Sequence, residues 1–109
     1  MTTRNLATLP FAQMGFLTWK DAARVHQIEL GEFLTLGRDQ ENHITLTDEF
    51  TSGRHARIER KDSGFLLRDL RSRNGTFLNG ARIFEAQLSD GDLIRAGNTD
   101  IQFTFQRGE

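Results

Sequence analysis

The chain is organised around three turn-rich segments, which are Gly37-Arg38, Thr51-Ser52-Gly53-Arg54-His55 and Asn74-Gly75-Thr76-Phe77-Leu78-Asn79-Gly80. Each segment lies between stretches with the alternating apolar pattern of β-strands. Together the segments carry cationic, hydroxyl and amide side chains, which are groups that bind phosphate. If the strands bring these turns to one end of a sandwich, the turns form a pocket for a phosphate attached to a peptide.

Length and charge exclude several classes of protein. At 109 residues the chain forms one domain that is long enough to bury a core. Its 37 % hydrophobic content, with nine Phe and one Trp, is typical of a globular protein rather than a disordered one. The formal net charge of −1 argues against nucleic-acid binding through a broad basic surface. Any anion site must therefore be local.

The absence of Cys excludes disulfides, thiolate nucleophiles and Cys-based metal sites. No apolar run approaches the roughly 20 residues needed to span a membrane, and the N-terminus lacks the apolar core of a signal peptide. We therefore expect a cytoplasmic protein without a cofactor or bound metal. We expect it to contact neither nucleic acid nor membrane.

Short apolar runs separated by Gly, Asn, Asp and Ser predict an all-β fold of many short, mostly antiparallel strands. The expected strands span residues 16–19, 33–36, 44–46, 55–60, 65–70, 76–78, 81–83, 92–96 and 101–105. Asn79-Gly80 is a type I′ hairpin signal. Segment 22–30 fits either a helix or a strand, and we favour a strand because residues 29–32 form a turn signal before the next strand.

The two ends of the chain differ from its centre. Residues 1–14 form no convincing element, because Pro10 interrupts the pattern, and we interpret them as an N-terminal arm. Thr2, Thr3 and Thr8 make this arm a candidate for phosphorylation. We expect the folded domain to span residues 15–106 and residues 107–109 to be a C-terminal tail or a cloning boundary.

Single residues suggest roles that each have an ordinary alternative. Arg38 can direct its planar fork of donors at two phosphate oxygens, or it can be a solvated loop arginine. Ser52 can add a hydroxyl donor beside backbone N–H groups. Asn74 can both donate to and accept from a peptide backbone, or it can serve as a turn residue before Gly.

The spacing of Ser52 and His55 also raises the possibility of Ser–His catalysis. No acidic partner for such a pair has an obvious place, and a His at a strand start more often fixes a loop by hydrogen bonding. His26 and His43 have no partners at a convincing metal-ligand spacing. The sequence therefore predicts a protein that is not an enzyme.

The ordered set of motifs resembles the forkhead-associated (FHA) domain. The matching motifs are Gly37-Arg38, Ser52-x-x-His55, Asn74-Gly75-Thr76-x-x-Asn79-Gly80 and Leu88-x-x-Gly91-Asp92-x-Ile94-x-x-Gly97. The similarity covers about residues 16–106. It implies a two-sheet β-sandwich of the FHA/SMAD type that binds phosphothreonine peptides through loops at one end. The chain termini would then lie close together at the opposite end.

The resemblance also implies roles for individual residues. The expected phosphate-binding residues are Arg38, Ser52, Gly53 and Arg54. The expected peptide-binding residues are Thr51, Arg73 and Asn74. The residues expected to support the site structurally are Gly37, His55, Gly75, Thr76, Asn79 and Gly80. Gly53 departs from the family pattern, which often has a polar or basic residue there, but a glycine leaves its backbone N–H accessible to an anion.

The function implied by the resemblance is non-catalytic phosphothreonine-peptide recognition in signalling. The partner would be a phosphothreonine-containing protein or peptide, in cis or in trans, that an upstream Ser/Thr kinase has phosphorylated. The resemblance suggests the N-terminal module of a bacterial signalling protein that controls an attached output domain. A phosphorylated N-terminal arm is a candidate ligand. The alternative is an FHA-like interaction or structural domain that works independently of phosphate.

Overall fold

The computed structural model describes residues 13–107, which form eleven strands. The strands are β1 (Gln13–Lys20), β2 (Val25–Glu29), β3 (Phe33–Gly37), β4 (Ile44–Thr45), β5 (Ala56–Lys61), β6 (Gly64–Asp69), β7 (Thr76–Leu78), β8 (Ala81–Ile83), β9 (Glu85–Gln87), β10 (Leu93–Ala96) and β11 (Thr99–Arg107). In this part of the chain, no helix has the length and apolar character to cross a membrane.

The strands form two sheets. One sheet has six strands in the order β2-β1-β11-β10-β7-β8, and the other has five in the order β4-β3-β5-β6-β9. Neighbouring strands are antiparallel in every described pair except β3 and β4, which are parallel. The predicted all-β sandwich of short, mostly antiparallel strands is therefore confirmed.

The core lies between the two sheets and follows the alternation of the strands. The largest fully buried side chains include Leu17, Leu36, Ile58, Phe65, Leu67, Ile94, Ile101 and Phe103. The rings of Phe65 and Phe103 meet edge to face, with centroids 5.7 Å apart. Because each buried side chain of this size contributes about 1.5–3 kcal/mol, the sheets form a firm base for the loops at their ends.

Some strands differ from their predicted bounds. The central part of the ambiguous segment, Val25–Glu29, forms β2, and it pairs with β1. Strand β9 was not predicted, since Glu85, Ala86 and Gln87 have low strand propensity and no apolar alternation. Its hydrogen bonds to β6, rather than its own sequence, stabilise β9 as a strand.

Pairing of β1 with β11 defines the two ends of the sandwich. Gln13 lies opposite Arg107, so the two ends of the described chain lie together. The β10–β11 turn lies at the opposite end, beside the β4–β5 connection, where the Thr51 hydroxyl donates to the Ala96 carbonyl. Residues 1–12 lie outside the described residues, so Thr2, Thr3 and Thr8 stay candidate phosphosites by prediction alone.

Gly37 ends β3 at a point of very close packing. A Cβ atom there would overlap the carbonyl oxygen of Gly53 and lie 2.8 Å from Asn42 Nδ2. Four other glycines have a positive φ, and Gly37 does not. The need for glycine at position 37 therefore comes from close packing rather than from a positive φ.

We predict that Gly37→Ala lowers the free energy of unfolding by about 1–3 kcal/mol, because a backbone carbonyl cannot move aside as a flexible side chain can. Urea denaturation measures the change. Gly31→Ala is the matched control, since a methyl group there meets nothing within 4 Å. Equal destabilisation by the two substitutions would contradict this account of the packing.

Candidate functional site

Three loops at one end of the sandwich enclose an open cavity of about 650 Å³. They are the β3–β4 loop (38–43), the β4–β5 loop (46–55) and the β6–β7 loop (70–75). Six of the residues that the sequence predicted for the site line this cavity: Arg38, Thr51, Ser52, Gly53, Arg73 and Asn74. The fold thus brings together side chains from three separate parts of the sequence.

His55 joins two of these loops. Its side chain is fully buried, and Nδ1 accepts the Ser52 backbone N–H at 3.0 Å. On the other side of the ring, Nε2 donates to the Gly75 carbonyl at 2.9 Å. Because an N–H can only donate and a carbonyl can only accept, the imidazole carries its hydrogen on Nε2. One neutral side chain therefore links the β4–β5 and β6–β7 loops.

Backbone hydrogen bonds hold the β3–β4 loop against the β4–β5 loop. The Arg38 N–H donates to the Ser52 carbonyl at 2.9 Å, and the Asp39 N–H donates to the Gly53 carbonyl at 3.1 Å. Asn42 reinforces this contact, since its Nδ2 donates to the Gly53 carbonyl at 2.7 Å and the Asp39 carbonyl at 2.8 Å. These bonds fix the backbone of Arg38 beside that of Ser52.

Asp48 ties the β4–β5 loop to the β10–β11 turn. Its carboxylate accepts backbone N–H groups from Phe50 at 2.7 Å and from Asn98 at 2.5 Å, together with the hydroxyls of Thr51 and Thr99. Burial alone would raise the pKa of Asp48, but these hydrogen bonds outweigh it and lower the pKa. Asp48 thus acts as an ionised anchor.

The Thr51 hydroxyl is committed to this anchor rather than to the cavity. Thr51 is 3 % exposed, and its Oγ1 contacts Asp48 Oδ2 at 3.2 Å and the Ala96 carbonyl at 3.3 Å. The sequence could not distinguish this buried role from the expected contact with a peptide. In the described structure the Thr51 side chain supports the loop.

Asp69 organises the β6–β7 loop. Its carboxylate accepts the hydroxyls of Ser72 at 2.5 Å and Thr76 at 2.7 Å, and the Ser72 N–H at 3.2 Å. Burial raises the pKa of Asp69, but these hydrogen bonds, with a smaller effect from His55, hold it below its ordinary value. Gly75 completes the turn with φ of +92°, a conformation that favours glycine.

Several polar groups facing the cavity remain available to a ligand. The Arg38 guanidinium is exposed and has no ion pair among residues 13–107. Ser52 Oγ accepts the Arg73 N–H at 2.9 Å, which leaves the hydroxyl hydrogen free to donate. The Gly53 backbone N–H has no hydrogen-bond partner within the same described range.

Asn74 clamps the rim of the cavity and keeps part of its amide free. Its Nδ2 donates to the Phe50 carbonyl at 2.8 Å. Its Oδ1 has no partner in the part of the chain that the structure describes, so it can accept from a peptide N–H. The same side chain can therefore hold the loops and bind a peptide main chain.

Four further residues, outside the expected phosphate-binding, peptide-binding and supporting sets, line the cavity: Asp39, Glu49, Phe50 and Arg71. Phe50 is 49 % exposed, whereas the sequence gives no sign that separates it from the Phe residues of the core. Their place in the site depends on how the loops pack.

Three predicted site residues lie elsewhere. Arg54 is exposed and lines a neighbouring cavity of about 270 Å³ beside Glu41, because the chain turns away after Gly53. Asn79 and Gly80 form the turn at the end of β7 remote from Gly75, with φ values of 51° and 89°. Asn79 pins this turn to β10, since its Oδ1 accepts the Leu93 N–H at 2.9 Å.

The arrangement does not resemble a nucleophile–base pair. Both ring nitrogens of His55 are engaged with backbone groups, so neither is available to accept a proton from the Ser52 hydroxyl. Among residues 13–107, no group of three or more His, Cys, Asp or Glu residues is placed to hold a metal ion. The cavity instead presents the Arg38 guanidinium and the hydroxyl of Ser52.

The FHA domain model matches residues 34–97, which is more than half of the chain. The chain belongs to the FHA domain family. The matched region extends from β3 to the β10–β11 turn, so it contains all three loops of the cavity.

Curated relatives match this domain alone. An ATP-binding/permease protein of the ABC transporter class, Rv1747 of Mycobacterium tuberculosis, is 43 % identical over 68 residues, covering 62 % of this chain and 8 % of that protein. FhaA of the same organism is 40 % identical over 80 residues, covering 73 % of this chain. The chain spans 15 % of the length of FhaA.

Solved structures agree in fold. An FHA domain from a study of phosphothreonine-dependent FHA interactions has a TM-score of 0.74 and 36 % identity, covering 84 % of this chain and 95 % of that one. Mycobacterium tuberculosis EmbR, solved in complex with a low-affinity phosphopeptide, has a TM-score of 0.76 and 28 % identity, covering 88 % of this chain and 25 % of that one. FHA domains are interaction modules that bind phosphothreonine peptides.

We predict that Asp69→Asn destabilises this FHA domain more at about pH 7 than at about pH 2. A carboxyl whose folded pKa lies below its unfolded value of about 3.9 stabilises the fold above that pH, and this contribution is lost as pH falls through the folded pKa. The pKa of Asp69 is lowered in this way. Urea denaturation at the two pH values measures the effect.

Asp62→Asn is the matched control for this experiment. Asp62 is exposed in the β5–β6 turn, and its carboxylate has no hydrogen-bond partner among the residues described. We expect it to change stability little at either pH. A difference between the Asp69 variant and the parent that stays constant with pH would contradict the anchoring role of the ionised carboxylate.

Proposed function

We propose that this FHA domain binds phosphothreonine peptides in the cavity formed by its three loops, with the phosphate held by Arg38, Ser52 and the Gly53 backbone N–H. One observation carries the proposal: the same cavity is lined by a residue with an unpaired guanidinium, one with a free hydroxyl hydrogen and one with an unbonded backbone N–H. A phosphothreonine carries about −1.5 to −2 charges and three acceptor oxygens. The donors complement both its charge and its hydrogen-bonding capacity.

The backbone of the site is already in place before any ligand binds. The main chain of Arg38 is bonded to Ser52, and the Ser52 N–H is held by His55. Preorganised donors lose less conformational entropy on binding, so more of the interaction free energy contributes to affinity. Charge-assisted hydrogen bonds then contribute about 1.5–3 kcal/mol each.

The peptide main chain has a separate place at the rim. We propose that Asn74 binds it through the free Oδ1 and the remaining amide hydrogen, and that Arg73 lies beside the phosphate because its N–H bonds Ser52 Oγ. Extended peptides satisfy such amide groups readily, since every residue except proline offers both a donor and an acceptor.

We infer a role in binding without catalysis, because His55 is fully used in holding the loops. The proposed partner is a protein phosphorylated on threonine by a separate Ser/Thr kinase, and the proposed location is the cytoplasm. The alternative of a phosphate-independent domain would leave the converging cationic and hydroxyl donors without a use.

We predict that Arg38→Ala weakens binding of a phosphothreonine peptide by at least about tenfold, which corresponds to one lost charge-assisted bond. Calorimetric titration measures the affinity, and thermal melting checks the fold. Lys61→Ala is the control, because it removes an exposed cation from the β5–β6 end of the sandwich. Unchanged binding by the Arg38 variant would favour the phosphate-independent alternative.

Asp39 places a negative charge beside the proposed phosphate donors. A Cβ atom added at Gly53 would lie 2.7 Å from Asp39 Oδ2, so the carboxylate fills the space that a side chain at position 53 would occupy. This carboxylate has no ion pair within residues 13–107. It therefore repels a bound phosphate.

We predict that Asp39→Asn tightens phosphothreonine binding by up to roughly fivefold, since exposed charge interactions contribute about 0.2–1 kcal/mol. The same calorimetric titration measures the change. Glu41→Gln is the control, because Glu41 is on the same loop but lines the neighbouring cavity. Weaker binding by the Asp39 variant would show that the carboxylate supports the loop or contacts the peptide.

A further inference from the structure

The six-stranded sheet ends in a long exposed edge at β2. Within residues 13–107 the edge strands are β2 and β8 in one sheet and β4 and β9 in the other. Strand β2 has five residues, whereas β8 and β9 have three each and β4 has two. Proteins protect exposed edges by keeping them short or by placing Pro, Lys or a bulge in them. Strand β2 contains neither Pro nor Lys, and its register with β1 has no bulge.

The backbone of β2 directs alternate residues toward β1 and toward the free edge. Just beyond β2, the Leu30 N–H donates to the Gly15 carbonyl. Because bonded and non-bonded pairs alternate along an antiparallel ladder, the even-numbered residues of β2 bond β1. The N–H and C=O groups of Val25, Gln27 and Glu29 therefore point away from β1. They have no backbone partner in the described part of the chain.

The exposed edge is complementary to itself in an antiparallel arrangement. Val25 is 64 % exposed and lies directly opposite Lys20 of β1, so one end of the edge is apolar and basic. The other end carries the exposed Glu29. Turning a second copy around places its Glu29 beside Val25 and near Lys20, with no like charges opposite one another. This symmetry favours a second copy over an unrelated strand as the partner.

We propose that β2 pairs with β2 of a second copy, antiparallel and centred on Gln27. In this register Gln27 lies opposite Gln27 of the second copy, and Val25 lies opposite Glu29 of the second copy. The outward N–H and C=O groups of all three residues are then satisfied in both copies. A register shifted toward either end leaves Val25 or Glu29 without an opposite residue in the other β2. The backbone therefore selects a single register.

The pairing joins two six-stranded sheets and separates the two binding cavities. Val25 lies opposite Lys20, at the end of the sandwich where the β10–β11 turn meets the binding loops, and Glu29 lies toward the other end. Because Val25 meets Glu29 of the second copy, the cavities lie at opposite ends of the dimer. The pairing itself does not depend on phosphate. Together with the proposed function, it produces a divalent binder that links two phosphorylated partners.

Sedimentation velocity of the whole chain, at concentrations from about 10 μM to about 1 mM, tests the pairing. An edge-to-edge contact is small, so we expect weak, concentration-dependent dimers. Gln27→Pro removes the central outward N–H, and an edge strand tolerates proline where the N–H faces solvent. We expect this variant to stay monomeric with its fold intact by thermal melting. Gln27→Thr is the matched control, because it keeps the N–H in a residue that favours strands.

Charge variants test the register, and they do so even if Gln27→Pro fails to fold. Val25→Glu places like charges opposite one another at both ends of the contact, so we expect it to weaken the dimer by roughly fivefold. Val25→Lys places a cation opposite Glu29 of the second copy and should tighten the dimer by a similar factor. Combining Val25→Glu with Glu29→Lys should restore the pairing. Both positions are exposed, so these changes leave the core intact.

Two results would overturn the inference. A chain that stays monomeric up to about 1 mM would show that β2 does not pair with itself. The edge would then be left to another occupant, such as residues 1–12 or an extended segment of a different protein. A dimer that ignores both Gln27→Pro and the charge at position 25 would place the interface elsewhere. Calorimetric titration with a phosphothreonine peptide tests the proposed function separately, so either proposal can fail alone.

Discussion

The imidazole of His55 is the interaction on which the site depends. Ser52 and Gly75 belong to loops that leave different strands, and the buried ring bonds the backbone of both. Because both nitrogens are satisfied and water is excluded, neither loop can shift without leaving a buried polar group unpaired, at a cost of about 1–3 kcal/mol. The strands place the loops at one end of the sandwich, and His55 sets the spacing between the β4–β5 and β6–β7 loops.

The polar residues of the loops have two separate roles: some hold the loops in place, and others are left free to bind a ligand. The carboxylates of Asp48 and Asp69 are used within the loops, where hydrogen bonds keep them ionised. Arg38 and the Ser52 hydroxyl hydrogen are left free. A preorganised anion site requires rigid loops and unpaired donors. The carboxylates of Asp48 and Asp69 make the loops rigid, and Arg38 and Ser52 provide the donors.

The sequence predicted the many short strands well because strand alternation and turn signals are local properties, whereas the two-sheet sandwich was implied by the family resemblance. Strand β2 was recognised by the turn that follows it, while β9 was missed because its order comes from pairing with β6. Spaced motifs located Arg38 and Ser52. The cavity also contains Arg71, and Arg54 lies outside it, because loop packing decides which of several surface arginines face inward.

Other features depend on contacts between residues distant in sequence. The need for glycine at position 37 arises from the Gly53 carbonyl, and the Asn42 amide holds that same carbonyl. Neither contact can be predicted from the local sequence. Thr51 likewise looked like a surface residue until its hydroxyl was placed against Asp48 and the Ala96 carbonyl.

The most direct test of the central claim is an amide NMR titration of the isotopically labelled domain with a phosphothreonine peptide and its unphosphorylated counterpart. The account predicts that the phosphorylated peptide shifts the amide signals of Arg38, Ser52, Gly53, Arg73 and Asn74. It predicts no shifts from the unphosphorylated peptide. Equal responses to the two peptides, or shifts confined to another surface, would contradict it.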